Sequence, residues 1–465
     1  MKNQSINITL TLISILFLFN ACNNPSGNSD DPGEFIQVNS WVHANMEFYY
    51  YWNERVPEKA DGYMTPENFF ESMLEPQDIF SFISDDAESL LDDLNGSSFS
   101  AGFSPTFGRF SGTNNVFIIV EFIYPNTPAE AAGLKRGDII LEINGTQLTL
   151  DNYQDLYYDE SDATYTMGIY NPEENTISNS GDTITVSKAE LELDPVVYTD
   201  IIEVNTHKIG YLFYAQFLTG TNNKFIDSVD EILSEFEQAG VTELIVDLRY
   251  NPGGRVTAAE NLANSIAPPS VTANNEVFVR YEYNDNLESY YTEKEGLDSP
   301  NLVALFSEDP TNLNLDRAYF LTTSGSASAS ELLINGLKPY MDVISIGTPT
   351  FGKFYGSYVL TGNQATPPNN YAIVPVTLKY ANADGITDFR DGLQPDYEVE
   401  EDILQPKAIG DTTDALLAKA LHLITGAAEP VAKIYPRFQY QKIQDPVKLR
   451  RGNVMFEKKG QPRLN

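Results

Sequence analysis

The sequence predicts a multidomain α/β protein, and three stretches of pattern predict it. Over residues 35–94 apolar residues recur at helical spacing and are crowded with aromatics. Over residues 95–193 the pattern turns to β runs bounded by turn residues. From Ile209 onward strand-like and helix-like runs alternate, as in a layered α/β structure with much parallel sheet. The 465 residues leave room for about three domains of ordinary size. A hydrophobic content of 42% is enough for real cores and excludes global disorder. The formal net charge of −37 repels nucleic acid and anionic headgroups, so no nucleic-acid partner is expected.

The chain begins Met1-Lys2, continues with an apolar run over residues 6–19 and reaches Phe19-Asn-Ala-Cys22. A basic start, a short apolar centre and a small residue before the cut predict a signal peptide over residues 1–21. The run is too short for a membrane span. Cys22 is the only cysteine, and its setting is similar to the lipobox of bacterial lipoproteins, with Phe19 a looser choice than the usual Leu. That similarity implies lipidation of Cys22 and a lipid anchor in the bacterial cell envelope, on the periplasmic face or the cell surface. An ordinary cleaved signal peptide is the alternative. With Cys22 so used, no cysteine is left for a disulfide. Residues 22–34 are rich in Asn, Ser, Gly, Asp and Pro and read as a flexible tether.

In residues 35–94 Trp41, Met46, Phe48, Tyr49 and Trp52 crowd one segment, and Thr65-Pro-Glu starts a second helix with a good cap. This cluster reads as core rather than as a binding surface. In residues 95–193 the run Val116-Phe-Ile-Ile-Val-Glu-Phe-Ile123 is a strand. A short helix closed by Gly133 follows, then the strand Ile139-Ile-Leu-Glu-Ile143 and an Asn144-Gly145 hairpin turn. Residues 171–182 look polar and turn-like between two further β runs. Residues 194–408 hold the alternating segment. Residues 409–465 give a last helix from Asp414 and a tail richer in Lys, Arg and Pro, either a loose terminus or a docking arm.

The chemistry centres on Leu321-Thr-Thr-Ser-Gly-Ser-Ala-Ser-Ala-Ser-Glu331. A β run enters this turn of small residues and a helical pattern leaves it. Small residues let a peptide backbone approach, and a serine beside a helix N-terminus sits where negative charge is stabilised. The plainer alternative is a capping box, with Ser328 as N-cap and Glu331 at N3. A serine nucleophile needs a base. Of the three histidines, His43 and His422 stand in helical segments and His207 precedes a strand, and none lies in a glycine-rich turn after a strand. A neutral lysine is the other known partner, and burial lowers its pKa. Lys353, in Gly347-Thr-Pro-Thr-Phe-Gly-Lys353, follows the next strand, and successive parallel strands end on the same edge. A solvent-exposed loop lysine is the alternative. Asp247-Leu-Arg-Tyr-Asn-Pro-Gly-Gly254 presents backbone amides at Gly253 and Gly254, as an oxyanion hole requires, although a plain turn explains Pro-Gly equally well. Asp247 and Arg249 read as structural.

Taken together, these blocks resemble the C-terminal processing (tail-specific) serine peptidases, family S41. Asp391-Gly-Leu-Gln-Pro-Asp396 is similar to that family's closing block. Thr127-Pro-Ala-Glu-Ala-Ala-Gly-Leu-Lys-Arg-Gly-Asp138 is similar to the PDZ domain these enzymes carry. The resemblance spans about residues 95–400. It implies a helical N-terminal region, a PDZ-like β-rich domain and an α/β peptidase core of the S41 (ClpP/crotonase-like) type. It implies Ser328 as nucleophile, Lys353 as general base, and Ala329 with the Gly253–Gly254 turn as oxyanion donors, with no metal and no cofactor. Many members continue Gly-Lys-Gly-x-x-Gln, and that glutamine helps position the lysine. Here the run is Gly352-Lys-Phe-Tyr-Gly-Ser-Tyr358, which leaves a third catalytic residue open, with Ser357 a candidate.

A PDZ domain adds a peptide strand to a sheet edge and holds its C-terminal carboxylate in backbone amides. The carboxylate loop expected here is Ser100, Ala101, Gly102 and Phe103, unless that segment is a structural hairpin. The expected partners are protein or peptide substrates with free C-termini. Two readings compete with a serine endopeptidase: a catalytically weak tail-binding receptor or scaffold, and an ester hydrolase using the same dyad.

Overall fold

A six-stranded sheet carries the centre of the chain, in the order Val196–Val204, His207–Tyr214, Glu243–Asp247, Arg317–Thr322, Asp342–Gly347 and Tyr397–Glu398. The structure is a computed structural model and describes residues 33–426, 428, 438–445 and 448. The first two strands are antiparallel and the remaining pairings parallel. Glu243–Asp247 is buried along its whole length, which is why its apolar run is continuous rather than alternating. Leu244 and Val246 face one core with the helices Lys224–Ala239, Val256–Ile266 and Ala329–Leu337. Ile245 faces the other, against the helix Ala415–Thr425 and against Phe122 and Tyr250.

The strand Val277–Tyr283 departs from the expected alternation. It joins an antiparallel four-stranded sheet with Val303–Leu305, Val376–Asn382 and Tyr355–Ser357. Its sequence explains this: Arg280 and Glu282 are exposed between buried neighbours, the period of a strand with one wet face.

The N-terminal helices Ile36–Tyr49, Pro66–Ser72 and Ala87–Leu94 do not stand apart. Val42, Met46, Tyr49, Phe69 and Phe70 share one core with Leu212 and Val246 of the central sheet. A strand within the region, Phe82–Ser84, pairs with Ala372–Val374.

The β-rich segment forms a seven-stranded sheet whose path runs Tyr440–Ile443, Phe103–Phe110, Val116–Ile123, Ile139–Ile143, Ala163–Asn171 and Thr176–Val186, with Thr146–Gln147 beside Ile139–Ile143. The turn-like reading of residues 171–182 is corrected: only the start is a turn, and Thr176–Val186 is a strand. It is exposed over most of its length, so no apolar alternation marks it. Residues 438–445 of the tail dock on this sheet. The signal peptide, nearly all of the tether and Cys22 lie outside the described residues.

Arg249 locks the central sheet to the last helix. It is 1% exposed, donates to both oxygens of Asp247 at 2.7–3.0 Å, and reaches Asp414, the N-cap of Ala415–Thr425, and Glu401 at 2.8–3.0 Å. Arg136 of the β domain pairs with the same Glu401 and donates to Tyr250 Oη at 2.8 Å. Removing one partner of such a cluster leaves the others buried and unpaired. Arg249→Ala should therefore lower the unfolding free energy by about 3–5 kcal/mol in urea titrations. A loss under about 1 kcal/mol would show that solvent reaches the cluster.

Candidate active site

The strands Glu243–Asp247, Arg317–Thr322 and Asp342–Gly347 end side by side, and each opens into one of the three predicted blocks. Parallel topology dictates this convergence at the carboxyl edge. The serine-rich turn is stitched to the turn before it. Ser326 Oγ donates to Leu248 O at 2.7 Å, Ala327 N to Asn251 O at 3.1 Å and Ser330 Oγ to Asn251 O at 3.0 Å. Two of the turn's hydroxyls are thus committed to backbone carbonyls, and Ser324 is exposed.

Ser328 is different. It is fully buried at the start of the helix Ala329–Leu337, with φ +61° and ψ −112°. A serine there carries strain of roughly 1–3 kcal/mol, held by its surroundings. Gly253 lies directly against it. A Cβ at Gly253 would stand 2.6 Å from Ser328 Cβ and 2.7 Å from Ala327 O, and its φ is +106°. Gly254 is as constrained, with a Cβ position 2.1 Å from Phe217 O. The Gly253 amide already donates to Asn251 Oδ1 at 2.9 Å. Among the described residues, the amides of Gly254 and Ala329 have no hydrogen-bond acceptor.

Glu331 does more than the predicted cap. Its Oε2 accepts from the amides of Ser328 and Lys353, both at 2.8 Å. Its Oε1 accepts from Gly352 N at 2.6 Å and from Thr350 Oγ1 at 2.5 Å. One oxygen therefore gathers the backbones of Ser328 and Lys353. Tyr380 Oη lies 3.3 Å from the carbonyl oxygens of the same two residues. Burial pushes the Glu331 carboxyl up to about 7, against the pull of its four donors.

Lys353 is 1% exposed, so the exposed-loop alternative is excluded. Burial holds its amine well below the usual ammonium range, although the charges of Asp78 and Glu331 oppose the shift. Its Nζ stands 5.2 Å from the centroid of the Phe80 ring. Phe80 and Asp78 come from the N-terminal region, a contribution the sequence did not signal because both lie in a loop without periodicity. Ser357, the candidate for the absent glutamine, is buried with no hydrogen-bond partner on Oγ and so does not hold Lys353. Asp247 and Arg249 are structural, as read.

A cavity opens beside Ala327 and Lys353, walled by Pro105 and Phe107 of the β domain and by Lys442 and Ile443 of the tail. A second lies at Ser100, Ala101 and Phe103 with Tyr157 and Lys188. Gly102 has φ +88° and no room for a Cβ, which would meet the Thr127 side chain at 2.3 Å. Ala101 O and Gly102 O accept from Ala129 N at 2.8 Å and Tyr124 N at 2.9 Å, so the loop turns its carbonyls inward. Ser100 Oγ is buried without a partner. No histidine lines either cavity. Glu331→Ala orphans three buried amides and a hydroxyl at roughly 1–3 kcal/mol each. It should destabilise the protein by at least about 3 kcal/mol in urea titrations. Thr350→Val, which removes one donor to Glu331 and the acceptor of the Leu393 amide, should cost less than Glu331→Ala.

Residues 208–399 match the family described as peptidase family S41, residues 37–82 the peptidase S41 N-terminal domain, and residues 119–162 a PDZ domain. The chain is 26% identical over 333 residues to the carboxyl-terminal-processing protease of Picosynechococcus sp., covering 69% of this chain and 72% of the relative. It is 25% identical over 359 residues to the carboxy-terminal processing protease CtpB of Bacillus subtilis, covering 75% of this chain and 65% of the relative. A crystal structure from Bacteroides fragilis described as an S41 protease superposes with a TM-score of 0.67 at 27% identity, covering 83% of this chain and 97% of that one. Three matched segments thus follow one another in sequence order: an S41 N-terminal domain, a PDZ domain and, over residues 208–399, a peptidase family S41 core.

Proposed function

We propose that this chain is a serine endopeptidase of the C-terminal processing type, working through Ser328 and Lys353 on proteins whose C-termini its PDZ domain holds. The observation that carries the reading is the single Glu331 oxygen that gathers the Ser328 and Lys353 amides, next to a lysine whose charged form burial disfavours. A neutral Lys353 amine takes the Ser328 proton as Oγ attacks the scissile carbonyl. The oxyanion forms at the N-terminus of the helix Ala329–Leu337, where the Ala329 and Gly254 amides are free to donate. Lys353 then returns the proton to the leaving amine, and water releases the acyl group with Lys353 again as base. The Gly253 amide, engaged by Asn251, serves through its shape: only glycine lets this turn approach Ser328. Neither metal nor cofactor takes part in these steps.

The Ser100–Phe103 loop is assigned to the substrate's terminal carboxylate, with the strand Phe103–Phe110 as the edge that pairs with it. No helix among the described residues is long and apolar enough to cross a membrane. Attachment to the cell envelope is assigned to a lipid on Cys22, which mass spectrometry of the mature N-terminus would reveal.

Incubation with an unfolded protein tests the dyad. Ser328→Ala and Lys353→Ala should each lower cleavage at least 10³-fold with the fold intact. Cleavage equal to that of the unmodified protein would reject the dyad. The chemistry needs the amine neutral, so kcat/KM should fall as pH drops through the depressed Lys353 value. Its half-maximum should lie well below the ordinary lysine pKa of about 10.4. Glu331 titrates nearby, so the midpoint belongs to the coupled pair. A half-maximum at an ordinary lysine value would contradict the desolvated base. Gly253→Ala, which drives a methyl into Ser328, should lower kcat at least about 10²-fold while the far-UV circular dichroism stays unchanged.

A further inference from the structure

We propose that residues 438–445 of this chain, together with Lys448, are a built-in occupant of its own PDZ peptide edge, covering the approach to Ser328 until a substrate tail displaces them. The inference rests on the reading of Phe103–Phe110 as the peptide-accepting strand.

Without the tail, Phe103–Phe110 is the bare edge of its sheet. Tyr440–Ile443 covers that edge as an antiparallel strand, with Tyr440 opposite Phe110, Gln441 opposite Arg109, Lys442 opposite Gly108 and Ile443 opposite Phe107. The direction is telling. The tail runs from Phe110 toward Phe103, so its C-terminal direction points at the Ser100–Phe103 loop, as that of a bound C-terminal peptide would. Its side chains alternate as a ligand strand requires. Ile443 packs on the domain core beside Phe107, while Phe438 and Tyr440 meet Phe117 edge-to-face on the other face, with ring centroids 6.3 and 5.4 Å away.

Polar contacts continue the seat beyond the strand. Tyr158 Oη donates to Asp445 at 2.7 Å. Lys448 Nζ donates to Pro105 O at 2.8 Å and pairs with Glu121, a buried carboxylate that also accepts from Ser104 Oγ at 2.7 Å. Asp445 and Lys448 both line the cavity at the Ser100–Phe103 loop, and Lys442 and Ile443 line the one at Lys353. The tail therefore blocks the line from the loop to the peptidase site, while the unpartnered Ser100 hydroxyl marks a loop still waiting for a ligand. A substrate strand and the tail cannot hold this edge together, because one row of backbone groups accepts one partner.

The test uses the full chain with Cys22 replaced by Ser. A lock, Arg109→Cys with Gln441→Cys, joins the facing strands by a disulfide, verified by mass. Two openers, Ile443→Asp and Gln441→Pro, weaken the same pairing by polarity and by loss of a ladder donor. The probe is a fluorescein-labelled octapeptide with the sequence of residues 438–445, followed by anisotropy, alongside cleavage of an unfolded protein. The openers should bind the probe at least tenfold more tightly than the oxidised lock, and reduction of the lock should raise cleavage. If both openers melt cooperatively yet bind no better than the oxidised lock, the tail is a fixed part of the sheet and the inference is overturned. Should one opener fail to fold, the other decides. A tenfold binding difference with no cleavage in any form would sustain the tail and reject the peptidase reading. Equal binding with Ser328-dependent cleavage would do the reverse.

Discussion

The carboxylate of Glu331 is the constraint on which the site's geometry depends. It sits inside the protein, where an ionised carboxyl is tolerated only if its lone pairs are filled. Four donors fill them, and three are backbone amides from two segments: the start of the serine helix and the lysine loop. The distance between Ser328 and Lys353 is therefore set by hydrogen bonds to one group rather than by loop packing. This also accounts for the persistence of a left-handed φ at Ser328, since its amide is held by Glu331. A rigid frame of this kind supplies the alignment that proton transfer between two side chains needs.

Around that frame the electrostatics are divided between two buried clusters. Arg249 with Asp247, Glu401 and Asp414 fixes the turn that carries Gly253 and Gly254, and through Arg136 and Tyr250 it reaches the PDZ domain. A movement of the PDZ domain that draws Arg136 away would strip Glu401 of one of its two cations. Glu121 plays the matching part on the other side, where its buried charge depends on Lys448 of the tail.

The central sheet and the three site blocks were legible because their chemistry is local. A buried strand followed by Pro-Gly-Gly, a small-residue turn before a helix and a Gly-Lys loop each announce themselves within ten residues. Ser328 could be singled out in the sequence only by resemblance. The structure adds an independent reason, because the hydroxyls of Ser326 and Ser330 are already spent on carbonyls. Glu331 was read only as a cap, since nothing in Ser-x-x-Glu tells that the carboxylate will also bind a loop some twenty residues later. Phe80 and Asp78 were invisible for the same reason: they act across the fold from a segment with no periodicity. The first part of the strand Thr176–Val186, up to residue 182, was missed for the opposite cause, because an exposed edge leaves no hydrophobic pattern.

The burial that depresses Lys353 is not a property of the peptidase core alone. One wall is Phe80 and the nearest opposing charges are Asp78 and Glu331, so the N-terminal region sets how dry the amine is. That region is anchored in turn through Tyr50, whose hydroxyl donates to Asp78 and accepts from Glu75 N. Desolvation lowers the pKa of the amine and so favours its basic form, yet the same burial leaves Ser328 with no exposed surface. The two demands meet only if something moves when a substrate enters. The core is close-packed and the N-terminal helices share its interior, so neither can yield cheaply. The remaining wall of the cavity is the PDZ edge with the four-residue strand laid on it, which is held to that edge by one ladder of backbone pairing.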